Sequence, residues 1–360
     1  MPLIIDSHLD LAWNALAWKR DLTQPLEKIN AAEAARAAEP GRSRATVSLP
    51  AMRSGGVALC LATLIGRVPY GASAAVHGDS LDFPSHSQAY GFAQGQLAYY
   101  RLLSQLGETK FLFTARDLAD HWRSWLDEGS PRFSVGTVLA MEGCDPIIAP
   151  AQAEAWFRDG LRCAGLVHYG RSAYAVGTGD DGPLTPSGRD LLAEFARLGI
   201  ILDLTHLSDT SFFEAIDLFP GPVLASHQNC RALVPGDRQF SDEQIRLVIE
   251  RGGILGTAFD NWMLYPGWIR GQTSRATVDL GAVVDHIDHI CQLAGNCRHN
   301  AIGSDLDGGF GNEQTPTGLD RISDLGKLED ILTRRGYTPD DIDAIFHGNL
   351  LRFLSEQLPR

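Results

Sequence analysis

A chain of 360 residues, 44% of them hydrophobic, can bury either two ordinary cores or one large α/β core. Its 31 basic against 44 acidic residues leave a net charge of −13, which argues against nucleic acid or an anionic membrane surface as partner and leaves small, polar or metal-bound ones. No apolar run reaches the roughly 18 residues needed to span a bilayer. No signal-like segment opens the sequence and no apolar anchor-attachment tail closes it, so a soluble, cytoplasmic protein is expected.

The first predicted element is a short buried strand at Leu3, Ile4 and Ile5. His8 and Asp10 follow where it should run out, two residues apart and therefore on one side of an extended chain. That is the geometry of paired metal ligands, although an H-x-D triplet taken alone also serves as a capped loop. Residues 19–50, with LEKINAAEAARAAEPGRSRA, read as helix and then loop. VALCLATLI (57–65) reads as a second strand. Residues 66–90 carry Gly, Pro and Ser with little period and read as a long loop insertion above it, before a helix in GFAQGQLAYYRLLSQLG.

Six more apolar runs follow: VGTVLAME (135–142), AGLVHYG (164–170), GIILDLTH (199–206), GPVLASH (221–227), GGILGTAFD (252–260) and NAIGSDLD (300–307). Between them, SGRDLLAEFARLG, SDTSFFEAIDLF and SDEQIRLVIERGG have helical period. Each opens on a Ser suited to the N-cap, and the first and third end at a Gly. Strand and helix alternate, and the strands are near-continuously apolar, as in a parallel sheet covered on both faces. Eight such units predict one (β/α)8 TIM barrel over residues 1–360, with a doubly wound open sheet as the alternative. The six cysteines form no C-x-x-C pair and read as reduced packing residues, none a nucleophile.

Nearly every predicted strand ends in a polar group that could bind a metal or move a proton. The first ends at His8 and Asp10, the third at Glu142, the fourth at His168, the fifth at His206, the sixth at His227 and the eighth at Asp305. In a (β/α)8 barrel these ends converge on one face, where such enzymes place their sites. Imidazoles and carboxylates together suit borderline divalent ions such as Zn²⁺, and the set is too large for one tetrahedral ion but suits two bridged by a carboxylate. His286 and His289 lie three apart in a helical segment and read as surface or packing residues. His77, His86, His121, His299 and His347 fall away from strand ends and stay unassigned.

The motifs DSHLD, AMEG, GPLTPSGRDLLAEFARLGIILDLTHLSD, ASHQNCRAL and IGSDLDGG together resemble the membrane dipeptidase (renal dipeptidase) family of binuclear zinc metallopeptidases, among the amidohydrolase-like barrels. The resemblance runs from about residue 3 to FHGNLLRFL near the C-terminus. It implies two Zn²⁺ per chain, with His8 and Asp10 on one ion, Glu142 bridging both, and His206 and His227 on the second. It further implies that His168 polarises the scissile carbonyl, that Asp305 shuttles a proton, and that Arg238 receives the substrate's terminal carboxylate, with Arg231 as the competing choice. The implied activity is hydrolysis of dipeptides by a metal-bridging hydroxide, with a D-residue at the C-terminal position left open; a lactam, lactone or other cyclic amide is the alternative substrate. Animal members are secreted, glycosylated and lipid-anchored, and these features are not carried over. The loops at 66–90 and RSAYAVGTGDDG after His168 are expected to wall the substrate pocket, and exposed apolar residues in the long loops allow a homodimer.

Overall fold

Residues 2–70, 81–128 and 134–360 are described by a computed structural model. Among them nine parallel strands form one sheet: β1 (Ile4–Leu9), β2 (Val57–Ile65), β3 (Thr109–Phe111), β4 (Val135–Glu142), β5 (Leu161–Gly165), β6 (Ile201–Asp203), β7 (Val223–Ala225), β8 (Ile254–Thr257) and β9 (Asn300–Ile302). The sheet runs β2-β1-β9-β8-β7-β6-β5-β4, and β2 also pairs with β4, from Leu59 opposite Gly136 to Ile65 opposite Glu142. Eight strands therefore close into the expected (β/α)8 barrel rather than the open sheet.

Two strand assignments need correction. The fourth run forms its strand earlier than expected, at Leu161–Gly165, so that LVHYG becomes the loop beyond it. β3 was not expected; it flanks the first residues of β4, with Thr109 opposite Val135.

Every residue of β1, β2 and β4 is buried, as the continuous apolar runs require. At least one side chain from each barrel strand, among them Ile5, Leu59, Val138, Cys163, Ile201, Leu224, Ile254 and Ala301, joins a single apolar cluster with Leu350, Phe353 and Leu354 of the C-terminal helix. This plugs the barrel below the strand ends and leaves the opposite face for polar groups.

The helix at Pro186–Leu198 is capped by Thr185, which accepts from the Gly188 N–H, and not by Ser187; Pro186 then takes the first helical position. Ser208 and Ser241 cap their helices as expected, the latter in a reciprocal capping box with Gln244. The helix His86–Gln105 begins inside the expected loop insertion, with Ser85 as its cap, while residues 71–80 of that insertion lie outside the described residues. All six cysteines are free thiols.

Candidate active site

The barrel brings the predicted strand-end residues together. His8 lies within β1 and Asp10 just beyond it, Glu142 closes β4, and His168, His206, His227 and Asp305 follow β5, β6, β7 and β9 by two or three residues. The Glu142 carboxylate is central: its Oε1 lies 3.1 Å from His206 Nε2, 3.3 Å from His227 Nε2 and 3.8 Å from His168 Nε2, and its Oε2 3.7 Å from His8 Nε2. His8 Nε2 also lies 3.7 Å from Asp10 and 3.9 Å from Asp305. Three donor groups have all their ligand atoms within 4.8 Å of one another: His8, Glu142 and His227; Glu142, His168 and His206; and His8, Asp10 and Asp305.

Buried partners aim these donors. Thr178 Oγ1 meets His206 Nδ1 at 3.0 Å, and Ser226 Oγ meets His227 Nδ1 at 2.9 Å and His8 Nδ1 at 3.2 Å. With each Nδ1 engaged, the Nε2 atoms face Glu142. Asp203 accepts from the N–H groups of Thr205 and Ser226, and Asp6 from those of His8 and Ser304, so neighbouring strand ends are tied in pairs. Thr63 donates to the Asp10 carboxylate.

The electrostatics fit bound divalent cations. His8 Nε2 is buried with no hydrogen-bond partner among the described residues, an atom that a metal would satisfy. Burial opposes charge on His8, but Glu142, Asp10 and Asp305 outweigh it and push its pKa up to about 10. Burial, only partly offset by His8, pushes Glu142 up to about 8 and holds Asp305 well above the usual carboxylate range. This is a site short of positive charge. Burial, Arg238 and neighbouring imidazoles hold His206 and His227 far below the usual histidine range, so both offer neutral lone pairs.

Above the donors opens a cavity of about 530 Å³. Arg238 lines it, 3% exposed, with Nη1 donating to Gln228 Oε1 at 2.8 Å and Nη2 to the His227 carbonyl at 2.9 Å. Arg231 is committed elsewhere, in a two-pronged pair with Asp209 at 2.7 Å. Geometry thus separates two arginines that the sequence leaves in competition.

The profile of the membrane dipeptidase family (peptidase family M19) matches residues 1–358. The chain belongs to that family. Dipeptidase aclJ of Aspergillus oryzae is 31% identical over 252 residues, 68% of this chain and 56% of its own, and an uncharacterized dipeptidase of Schizosaccharomyces pombe is 30% identical over 226 residues, 61% and 53%. The chain spans about half the length of these curated relatives. A metallopeptidase from Rhodobacter sphaeroides, solved with a phosphinate mimic of the dipeptide L-Ala-D-Ala, has a TM-score of 0.77 at 26% identity and covers 99% of both chains. A dipeptidase described as an M19 metallopeptidase has a TM-score of 0.77 at 25% identity, over 100% of this chain and 99% of its own.

In this member of the membrane dipeptidase family the cavity also holds groups that the sequence reading passed over. Asp260, beyond β8, ends the seventh apolar run just as the other strand-end groups end theirs. Tyr169, Gln314 and four tryptophans also line the walls; Trp13, Trp18 and Trp268 sit in loops or short helices without a signal of their own. Of the expected pocket walls, the 66–90 insertion contributes Leu81, with Ile65 just before it, whereas RSAYAVGTGDDG does not line the cavity and instead places Thr178 behind His206. Two of the histidines outside the site are held by local contacts: His286 accepts from the Cys230 N–H at 3.0 Å, and His289 pairs with Asp242 at 2.7 Å. His77 lies outside the described residues.

Proposed function

We propose that this protein is a metal-dependent dipeptidase that holds two zinc-type divalent ions per chain. The observation that carries this reading is a buried arginine facing the same cavity as a converged set of metal donors. His8 and Asp10 would help hold one ion and His206 and His227 the other, with the Glu142 carboxylate within reach of both sets. When bound, the ions supply a water that ionises near neutral pH and positive charge for the developing oxyanion.

The chain's own groups do the rest. Asp305, ionised beside bound cations, would accept the proton of the attacking water at its carboxylate and return it to the leaving amine; burial raises its proton affinity and so suits it to hold that proton between the two transfers. His168 points Nε2 toward Glu142 from the rim of the donor set, where it orients the scissile carbonyl and donates to its oxygen. Arg238 spends one N–H on Gln228 and one on the His227 carbonyl, which leaves three of its five for a substrate carboxylate. A free C-terminus is therefore recognised, and the cavity volume suits a dipeptide.

The Rhodobacter sphaeroides relative was solved with a mimic of L-Ala-D-Ala, which supports extending the substrate range to a C-terminal D-residue. No described helix is long and apolar enough to cross a membrane; a cytoplasmic location and a homodimer belong to the same proposal.

The test is the metal content of the purified protein together with hydrolysis of L,L and L,D dipeptides before and after chelation. About two ions per chain with chelator-sensitive cleavage is the expected result. Two metals without dipeptide cleavage would move the substrate to a lactam or lactone, and no metal even after added zinc would overturn the reading.

A further inference from the structure

Asp260 has no part in the mechanism above, yet it is 5% exposed and lines the same cavity as Arg238 and Asp305. Its Oδ1 and Oδ2 accept from the Gln314 side-chain amide at 2.7 and 2.9 Å, and Oδ1 also accepts from the Trp262 N–H at 3.3 Å. The donors it meets among the described residues are all neutral. The guanidinium of Arg270, exposed in the same cavity, donates to the Gly309 carbonyl, and its charge reaches Asp260 without a hydrogen bond, lowering the carboxyl pKa by less than burial raises it.

The local structure does not require a charge at this position. Asp260 is the N-cap of the short helix Asn261–Leu264, a position that Asn fills equally well, and an Asn oxygen could accept from both Gln314 and Trp262. A carboxylate is costlier to bury than an amide when no cation hydrogen-bonds to it. Burial accordingly pushes its pKa up to about 7. The indoles of Trp262 and Trp268 line the same cavity, and their faces attract cations.

We propose that Asp260, steadied by Gln314, is a specificity determinant that selects substrates carrying a cationic nitrogen; the proposal rests on the dipeptidase reading. The cation is either the α-ammonium of the N-terminal residue or the side chain of a lysine or arginine. Both present N–H donors and positive charge to the carboxylate.

The experiment measures kcat and KM of metal-loaded wild type and Asp260→Asn on Ala-Ala, lactoyl-Ala, Ala-Lys, Lys-Ala and the norleucine counterparts of the lysine peptides. Lactoyl-Ala replaces the α-ammonium by a hydroxyl. The expected result is a rise in KM of about 10- to 100-fold for substrates with the recognised cation, with kcat little changed. A loss on every dipeptide that spares lactoyl-Ala identifies the α-ammonium, and a loss confined to one lysine peptide identifies that side chain. Equal loss on neutral analogues, or no loss, overturns the proposal.

If Asp260→Asn does not fold, Gln314→Lys places a cation beside Asp260 and must cause the same selective loss. Wild type that cleaves none of the substrates defeats the dipeptidase reading instead. Calorimetric binding of the same compounds to wild type and variant then decides the role of Asp260 by the same comparison.

Discussion

Replacing Arg238 by Met keeps most of the side-chain volume and removes the guanidinium from the cavity wall. The arginine is 3% exposed, so a substrate carboxylate meeting it is desolvated and the pair is weakly screened. Hydrogen bonds to charged groups contribute about 1.5–3 kcal/mol each, and truncating one partner of a buried charge pair costs about 2–5 kcal/mol. At about 1.4 kcal/mol per factor of ten, kcat/KM for Ala-Ala should fall by about 30-fold to a few thousand-fold. The assay compares Ala-Ala with its C-terminal amide in wild type, Arg238→Met and Arg231→Met, with metal content measured in each. Wild type should prefer the free acid strongly, Arg238→Met should lose that preference with its metal retained, and Arg231→Met should keep it, because Arg231 is paired with Asp209. Arg238→Lys should recover only part of the loss, since an ammonium cannot reproduce the planar fork. An undiminished acid preference in Arg238→Met would refute the assignment.

Three further outcomes follow from the geometry. Glu142→Gln leaves a neutral amide where donors from four histidines meet a carboxylate, so metal content should fall and activity drop by more than about 10³-fold; near-normal turnover would remove Glu142 from the site. Gly308→Ala would place a Cβ 2.0 Å from Asp305 Oδ1, so Asp305 must turn away; kcat should drop by about 10- to 100-fold with KM and metal content retained, and unchanged kcat would refute its proton-carrying role. Asp145 is buried, and burial outweighs the Val68 and Ala173 N–H donors to push its pKa from 3.8 to about 6. A carboxyl whose folded pKa lies above its unfolded value contributes stability below the unfolded pKa and loses it as pH rises through the folded one, here by on the order of 3 kcal/mol. Thermal melts should therefore show a smaller fall in Tm between about pH 4.5 and 7.5 for Asp145→Asn than for wild type, and identical falls would show that Asp145 does not titrate this way.

Most of the barrel was legible because its strands are buried on both faces and so carry unbroken apolar runs. The misplacement of β5 has a local cause: Gly160 and Arg162 give its start the look of a turn, whereas the Arg162 guanidinium folds back onto the Phe157 and Leu161 carbonyls and lies over the Phe157 and Phe113 rings. β3 is three residues long, too short for any period to register. The convergence of the strand-end histidines and carboxylates was legible because a parallel barrel converts strand ends into neighbours. The partners that aim them were not, since Thr178 reaches His206 across 28 residues and Ser226 reaches His8 across 218. The choice between Arg238 and Arg231 also depended on a distant residue, Asp209.

The same site carries backbone strain that the surrounding contacts must hold in place. His206, Asp305 and Asp307 have φ of 68°, 56° and 63°, a left-handed conformation that costs a non-glycine residue about 1–3 kcal/mol. Asp307 is fixed by its carboxylate, which accepts from Thr46 N–H, Thr46 Oγ1 and Val47 N–H and pairs with the buried Arg20 at 3.0 Å. Arg20 is itself gripped by Glu33 through two nitrogens. That chain of contacts anchors the loop two residues beyond Asp305, while Asp6 anchors it one residue before, through Ser304. Asp305 is thus clamped from both sides in a conformation it would not choose. The arrangement places the carboxylate near His8 before any substrate arrives, so its positioning cost is met in folding rather than in catalysis.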